Sequence, residues 1–221
     1  MDRNLDELPP TTELFGWHQA PERPPVPLEF EELPPGYRLE LVHRYEEPLF
    51  GELVQSMFFG PTGSLRWPDL GVEEDAALRS WRQDRMSRRP TLRLALRRDD
   101  ALVGWSFGFA DRADGFYMAS SAVLDEHRRK GLYTALARTT LLLCHQAGFH
   151  FVHSRHVATN NPILVAKLRL GFRITGFELT PDMGSLLALE YPLLPQREHA
   201  LLARSGLVRM EPALAAQLVE E

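Results

Sequence analysis

Between Thr91 and Leu124 the chain runs TLRLALRR, ALVGWSFGFADR and FYMASSAVL, three strand-like stretches joined by turns too short to hold a helix. Asp99-Asp100 separates the first two, and the hairpin dipeptide Asp114-Gly115 precedes the third. Strands linked this way must pair antiparallel, because a parallel partner needs a crossover of roughly a dozen residues or more. In the middle stretch Val103, Trp105, Phe107 and Phe109 hold alternate positions and are expected to share one face. The period then changes. Leu132, Leu136, Thr140, Leu143 and Ala147 recur at helical spacing, Gly148 closes the pattern, and FHFVHSRHV follows as a strand. A meander followed by a strand–helix–strand unit predicts a mixed, mostly antiparallel sheet flanked by helices in an α+β domain.

The flanks extend this reading to the order β-α-α-β-β-β-α-β-α-β-β over residues 36–195. YRLELVHRY is a strand, PLFGELVQSMF a helix opened by Pro48, and VEEDAALRSWRQDRMSRR a helix with acids first and arginines last, as its dipole favours. NPILVAKLRLG predicts a short helix with Asn161 as N-cap, Pro162 in the first turn and Gly171 past the last. FRITGFEL and GSLLALEYPL complete the sheet. Residues 1–35, with proline pairs at Pro9, Pro24 and Pro34, read as an extended arm with apolar islands at Leu14, Phe15 and Trp17. Residues 196–221 read as a helical tail.

Charge and cysteine usage narrow the class. A formal net charge of −5 argues against a dedicated nucleic-acid binder. The single cysteine, Cys144, excludes an internal disulfide, and its apolar setting LLLCHQAG suits a buried thiol better than a nucleophile. No apolar run is long enough to cross a bilayer, and the N-terminus lacks the basic-then-apolar pattern of a signal peptide. The expectation is a cytoplasmic protein with no membrane or nucleic-acid partner.

One stretch defies helix electrostatics. DEHRRKGLYTALAR places Arg128, Arg129 and Lys130 at a helix N-terminus, which already carries roughly half a positive charge. A bound polyanion would resolve the conflict, since helix N–H groups beside a glycine form a phosphate site and the cations would add charge-assisted bonds. AVLDEHRRKGLYTAL resembles the signature Arg/Gln-x-x-Gly-x-Gly/Ala of the GNAT N-acetyltransferase superfamily, with Val123 ending the preceding strand, Arg128 first and Gly131 central. Tyr133 replaces the final small residue, and its ring must point outward to leave the cradle clear. NNPILVAKLRLGF is similar to the family's later element, with Asn160 at the cofactor-contacting position and Leu170-Gly171-Phe172 closing it.

The resemblance implies a site for acetyl-CoA as cosubstrate. The pyrophosphate would lie on Arg129, Lys130, Gly131, Leu132, Tyr133 and Thr134, with Arg128 and Asn160 beside it. The pantetheine arm would pair with the backbone of Ser121, Ala122 and Val123. A bulge in that strand would splay it from the next and leave the Val123 N–H free to polarise the thioester carbonyl. Many members use a tyrosine to protonate the departing thiolate; Lys167 occupies that position here, with Tyr133 and Tyr117 as substitute acids. Base candidates are His153, His156 and Glu126. His153 faces away from His150 and His156 in a strand, so the three do not form a metal site. The family's acceptor pocket implies Phe58, Phe59, Trp67 and Asp69 as contacts for a small-molecule or peptide amine, and a homodimer is compatible. A module that binds acyl-CoA without turnover and a nucleotide-binding protein are the competing readings.

Overall fold

The computed structural model describes residues 15, 26–28, 33–58, 75–210 and 212–217. The proline-rich segment supplies the first strand, Val26–Leu28 (β1), which pairs antiparallel with Tyr37–Leu41 (β2). The same segment supplies Phe15, only 5% exposed, whose ring meets Phe116 and Phe149 at 5.6 and 5.4 Å. Leu49–Phe58 (α1) and Ala76–Ser87 (α2) follow; Asp75 caps α2 by accepting from the N–H groups of Ala77 and Leu78. The meander is Thr91–Arg98 (β3), Ala101–Ala110 (β4) and Gly115–Val123 (β5). Leu132–Gln146 (α3), Phe151–Val157 (β6), Asn161–Leu170 (α4), Arg173–Thr180 (β7) and Gly184–Pro192 (β8) complete the domain, and Pro195–Arg204 (α5) and Pro212–Gln217 (α6) trail it.

The strands form one sheet in the order β1-β2-β3-β4-β5-β6-β8-β7, and every neighbouring pair is antiparallel except β5–β6. The mixed, mostly antiparallel sheet expected from the meander and the crossover is therefore present. None of the described helices is long and apolar enough to cross a membrane.

Three local expectations need correction. Val103 does not share a face with Trp105, because the β3–β4 register jumps at Leu96/Arg97 and makes Val103 an extra residue. Val103 packs in the cluster beneath α3, while Trp105 and Phe107 pack on the opposite side. Gly115 is not a turn residue either. It opens β5, and a Cβ there would stand 2.5 Å from the Phe151 ring, so close approach rather than a left-handed φ demands glycine. At α4 the cap is Asn160, not Asn161, and its side chain makes no capping bond.

Two apolar layers cover the sheet. On one side Leu92, Leu94, Phe116, Met118 and Val123 meet Leu132, Leu136 and Leu143 of α3 and Leu164 of α4. On the other, Tyr45, Trp105 and Ala122 meet Phe50, Leu53 and Met57, with Phe50 stacked on Tyr45 at 4.0 Å. This second layer covers only the first half of the sheet.

Candidate active site

The one parallel pair is short. Gly115↔Phe151, Phe116↔Val152 and Tyr117↔His153 align, and then β5 and β6 part. The cause lies on β5, whose register against β4 jumps from Gly108↔Met118 to Phe107↔Ser120, leaving Ala119 as a bulge. Beyond it β5 follows β4 as far as Val123, while β6 follows β8 as far as Val157. The Leu124 N–H donates to the Val103 carbonyl at 2.9 Å, so strand alternation turns the N–H and C=O groups of Ser121 and Val123 the other way, into the fork. The Ser121 hydroxyl bonds that of Ser106, which reaches Thr140 on α3 at 3.1 Å. Ala122 packs with Trp105 in the opposite layer.

A tight turn links β5 to α3. Arg129 at φ +63 and Gly131 at φ +78 both adopt left-handed backbone, and no atom lies within 4 Å of a Cβ built on Gly131. No side chain caps α3, so the N–H groups of Leu132, Tyr133 and Thr134 stand at an open terminus. The three cations are used differently. Arg128 donates through Nε to the Val123 carbonyl at 3.0 Å and pairs with Asp125 at 2.7 Å, which balances its charge. Lys130 donates to the Tyr37 hydroxyl at 3.1 Å and to the Glu126 carbonyl at 3.2 Å. The Lys130 bond leads the lowering of the Tyr37 pKa. Arg129 has no bonding partner among the described residues.

The Tyr133 ring is turned inward, not outward as expected. It packs on the core beneath α3, and its hydroxyl is buried without a partner. Burial alone raises its pKa, which makes it a weaker acid than ordinary tyrosine.

Lys167 is the surprise of this face. It is fully buried on α4, with Nζ 2.8 Å from the Met118 sulfur and 3.9 Å from the centre of the Phe172 ring. Neither neighbour carries a charge. Burial lowers its pKa to about 7. His156 shares the pocket, bonding Ser154 at 3.1 Å, and burial together with the Lys167 charge pushes it down to about 3. Met118 follows the last β5–β6 pair directly, so this ammonium sits at the apex of the fork. Cys144, buried on α3 with its pKa raised by burial, lies outside the chemistry.

On the opposite face His153 stacks near Tyr117, ring centres 5.1 Å apart, and its Nε2 is 2.9 Å from both Asp111 oxygens. A recess of about 230 Å³ opens beside it. His150 reaches Asp114 instead, at 3.4 Å. Among the described residues no three His, Cys, Asp or Glu side chains form a metal-binding group. Phe59, Trp67 and Asp69 lie outside the described residues, and Phe58 ends α1. Sequence reasoning missed Asp111, Met118 and Tyr37; each meets a partner far away in the chain, brought near only by the tertiary fold.

Comparisons agree with this architecture. The fold is similar to yncA of Salmonella typhimurium with its cofactor acetyl-CoA, at 16% identity and a TM-score of 0.52, covering 72% of this chain and 95% of that one. A GNAT family acetyltransferase from Elizabethkingia anophelis with acetyl-CoA bound aligns at 11% identity and a TM-score of 0.52, covering 72% and 99%. An acetyltransferase of Bacillus subtilis in complex with CoA aligns at 14% identity and 0.51, again covering 72% and 99%. No curated protein matches the sequence. Residues 56–172, just over half of the chain, match the Acetyltransferase (GNAT) family, and this stretch contains the fork, the left-handed turn, the open terminus of α3 and the whole of α4. The chain belongs to the GNAT family of acetyltransferases.

Proposed function

We propose that the protein moves an acetyl group from acetyl-CoA to a primary amine, by direct attack within a ternary complex. The observation that carries this is the fork between β5 and β6 with a buried lysine at its apex. Acetyl-CoA supplies an activated acyl carbon and a thiolate leaving group. The residues present suit it. Leu132, Tyr133 and Thr134 offer uncapped N–H groups to the diphosphate, and Arg129, without a partner among the described residues, offers it a cation. Ser121 and Val123 direct backbone groups at the pantetheine arm, and a backbone donor aimed at the carbonyl oxygen contributes about 2.7–4 kcal/mol in comparable acyl-transfer sites. The backbone of Ala122 faces β4 instead, so the arm is left to Ser121 and Val123, and Asn160, free of capping duty, remains available to the cofactor.

Lys167 is read as the acid. A thiol titrates near 8.5, so an ammonium held at about 7 is the stronger acid and can protonate the departing sulfur; an ordinary lysine could not do so downhill. His156, neutral down to about pH 3, is unsuited to act as base.

Titration with acetyl-CoA, followed by heat and melting temperature, tests the first half. A thiol-release assay across a panel of amines tests the second. Arg128→Ala with Arg129→Ala should raise the KM for acetyl-CoA at unchanged acceptor affinity. Absence of both heat and thermal shift on titration overturns the reading. Binding without release of CoA for any amine leaves a binding module.

A further inference from the structure

The face of the fork away from α3 and α4 carries charged groups that cofactor binding leaves unused. His153 ends the β5–β6 pairing opposite Tyr117. The Asp111 carboxylate can only accept, so a neutral His153 ring carries its proton on Nε2 and keeps the Nδ1 lone pair unshared among the described residues. The recess beside it is lined by charged and polar residues, among them Asp111, Arg112, His153, Arg155, Glu178 and Glu190. Most of its charges are already matched: Arg155 pairs with Glu178 at 3.3 Å, and Glu190 with Arg197 at 2.9 Å. Arg112 is the exception. Its guanidinium lies 5.7 Å from the Phe151 ring centre and has no carboxylate partner among the described residues.

Two further facts narrow the occupant. The opposite face is closed at this level by Met118, Lys167 and Phe172, all buried, whereas His153, which ends the β5–β6 pairing at the apex, also lines the recess. The volume of about 230 Å³ falls below the roughly 300–1,000 Å³ of drug-sized sites and suits a small metabolite.

We propose that this recess is the acceptor site, that His153 is the general base, and that the acceptor is a small amine bearing a carboxylate, such as an α-amino acid, held through that carboxylate by Arg112. The inference rests on the acetyl-CoA reading above. His153 Nδ1 removes one proton from the amine as the nitrogen bonds to the acyl carbon. The C–S bond breaks with its electron pair on sulfur, and Lys167 delivers the proton that completes the free thiol. His153 and Lys167 then exchange protons with solvent, so an amine and a thioester become an amide and a thiol. Asp111 orients the ring and does not touch the acceptor.

The test compares α-amino acids with their decarboxylated amines in the thiol-release assay, and follows the His153 ring by NMR as each is added to the full chain with CoA present. Amino acids should turn over at least tenfold better than the matched amines and shift the His153 resonances. Arg112→Ala should raise their KM by about 10- to 100-fold. His153→Ala should lower kcat by about 10²–10⁴-fold with CoA affinity unchanged, and added imidazole should restore part of it. Asp111→Asn should lower kcat at constant KM, with Asp111→Glu recovering some of the loss. His153→Gln guards against a folding defect in the alanine variant. Turnover within twofold of wild type in both histidine variants overturns the proposal, as does equal use of amines without a carboxylate. Amino acids that neither react nor shift the ring overturn it too. If the unaltered protein fails to bind acetyl-CoA, the parent reading has failed and this one falls with it; every other negative result leaves acetyl-CoA binding standing.

Discussion

The two faces of the fork solve opposite electrostatic problems at the same height in the sheet. Beneath α4, Lys167 has a sulfur and an aromatic ring for company and no counter-ion among the described residues, so desolvation sets its proton affinity. Across the sheet, His153 and Arg155 stand in a wet recess, each with a carboxylate. The contrast teaches that a cation kept dry becomes acidic enough to give up its proton, whereas side chains paired with carboxylates at an open recess are oriented for recognition and proton transfer.

Removing the dry cation should have the largest effect. Lys167→Met replaces a buried ammonium by an apolar side chain of similar length, and should stabilise the fold at pH 7 by roughly 4 kcal/mol while lowering kcat about 100-fold. The sign follows from linkage: between pH 7 and 10.5 the unfolded chain holds the Lys167 proton more tightly, so wild-type stability rises with pH across that window and the variant loses the slope. Denaturant melts at several pH values read this directly. A flat wild-type curve over that range would erase the distinction between the faces.

Acid comes next. His156 falls from an ordinary 6.5 to about 3 on folding, so the unfolded chain binds more protons between those values and stability is lost as pH falls through that range. Between pH 6.5 and 4 the loss should approach ~3 kcal/mol, and His156→Asn should abolish most of it.

Gly115→Ala acts on the hinge of the comparison. Its Cβ would drive into the Phe151 ring at the base of the short parallel pair, costing about 1–3 kcal/mol in thermal melts and widening the fork. The smallest change is expected on the wet side. Arg155 and Glu178 are each some 40% exposed, so Arg155→Ala should alter stability by less than about 1 kcal/mol, and less still in high salt.

Much of this was legible beforehand because it is local. The meander, the helix opened by Gly131 and the Gly171 end of α4 follow from period and from residues with special backbone freedom. The faces of individual residues were less legible. Extra residues at Val103 and Ala119 reverse the alternation of side chains, and nothing in ALVGWSFGFADR or FYMASSAVL marks where a register will jump. Lys167 could equally have extended into water along the surface; whether α4 turns that position toward Met118 depends on how the helix docks. The His153–Asp111 pair spans 42 residues and arises only because a turn after β4 lies beside the start of β6.

Within residues 36–195 the amino-acid sequence by itself determined which segments become strands and helices, their order, and an uncapped helix terminus crowded with cations, since each depends on neighbours a few positions away. Only the tertiary structure decided that the proline-rich segment would lend Phe15 to the core and a strand to the sheet, that one histidine would face a carboxylate and another a buried ammonium, and that this ammonium would be dry. The reason is that solvent exclusion and long-range pairing belong to the packed sheet as a whole, and no short stretch of chain carries them alone.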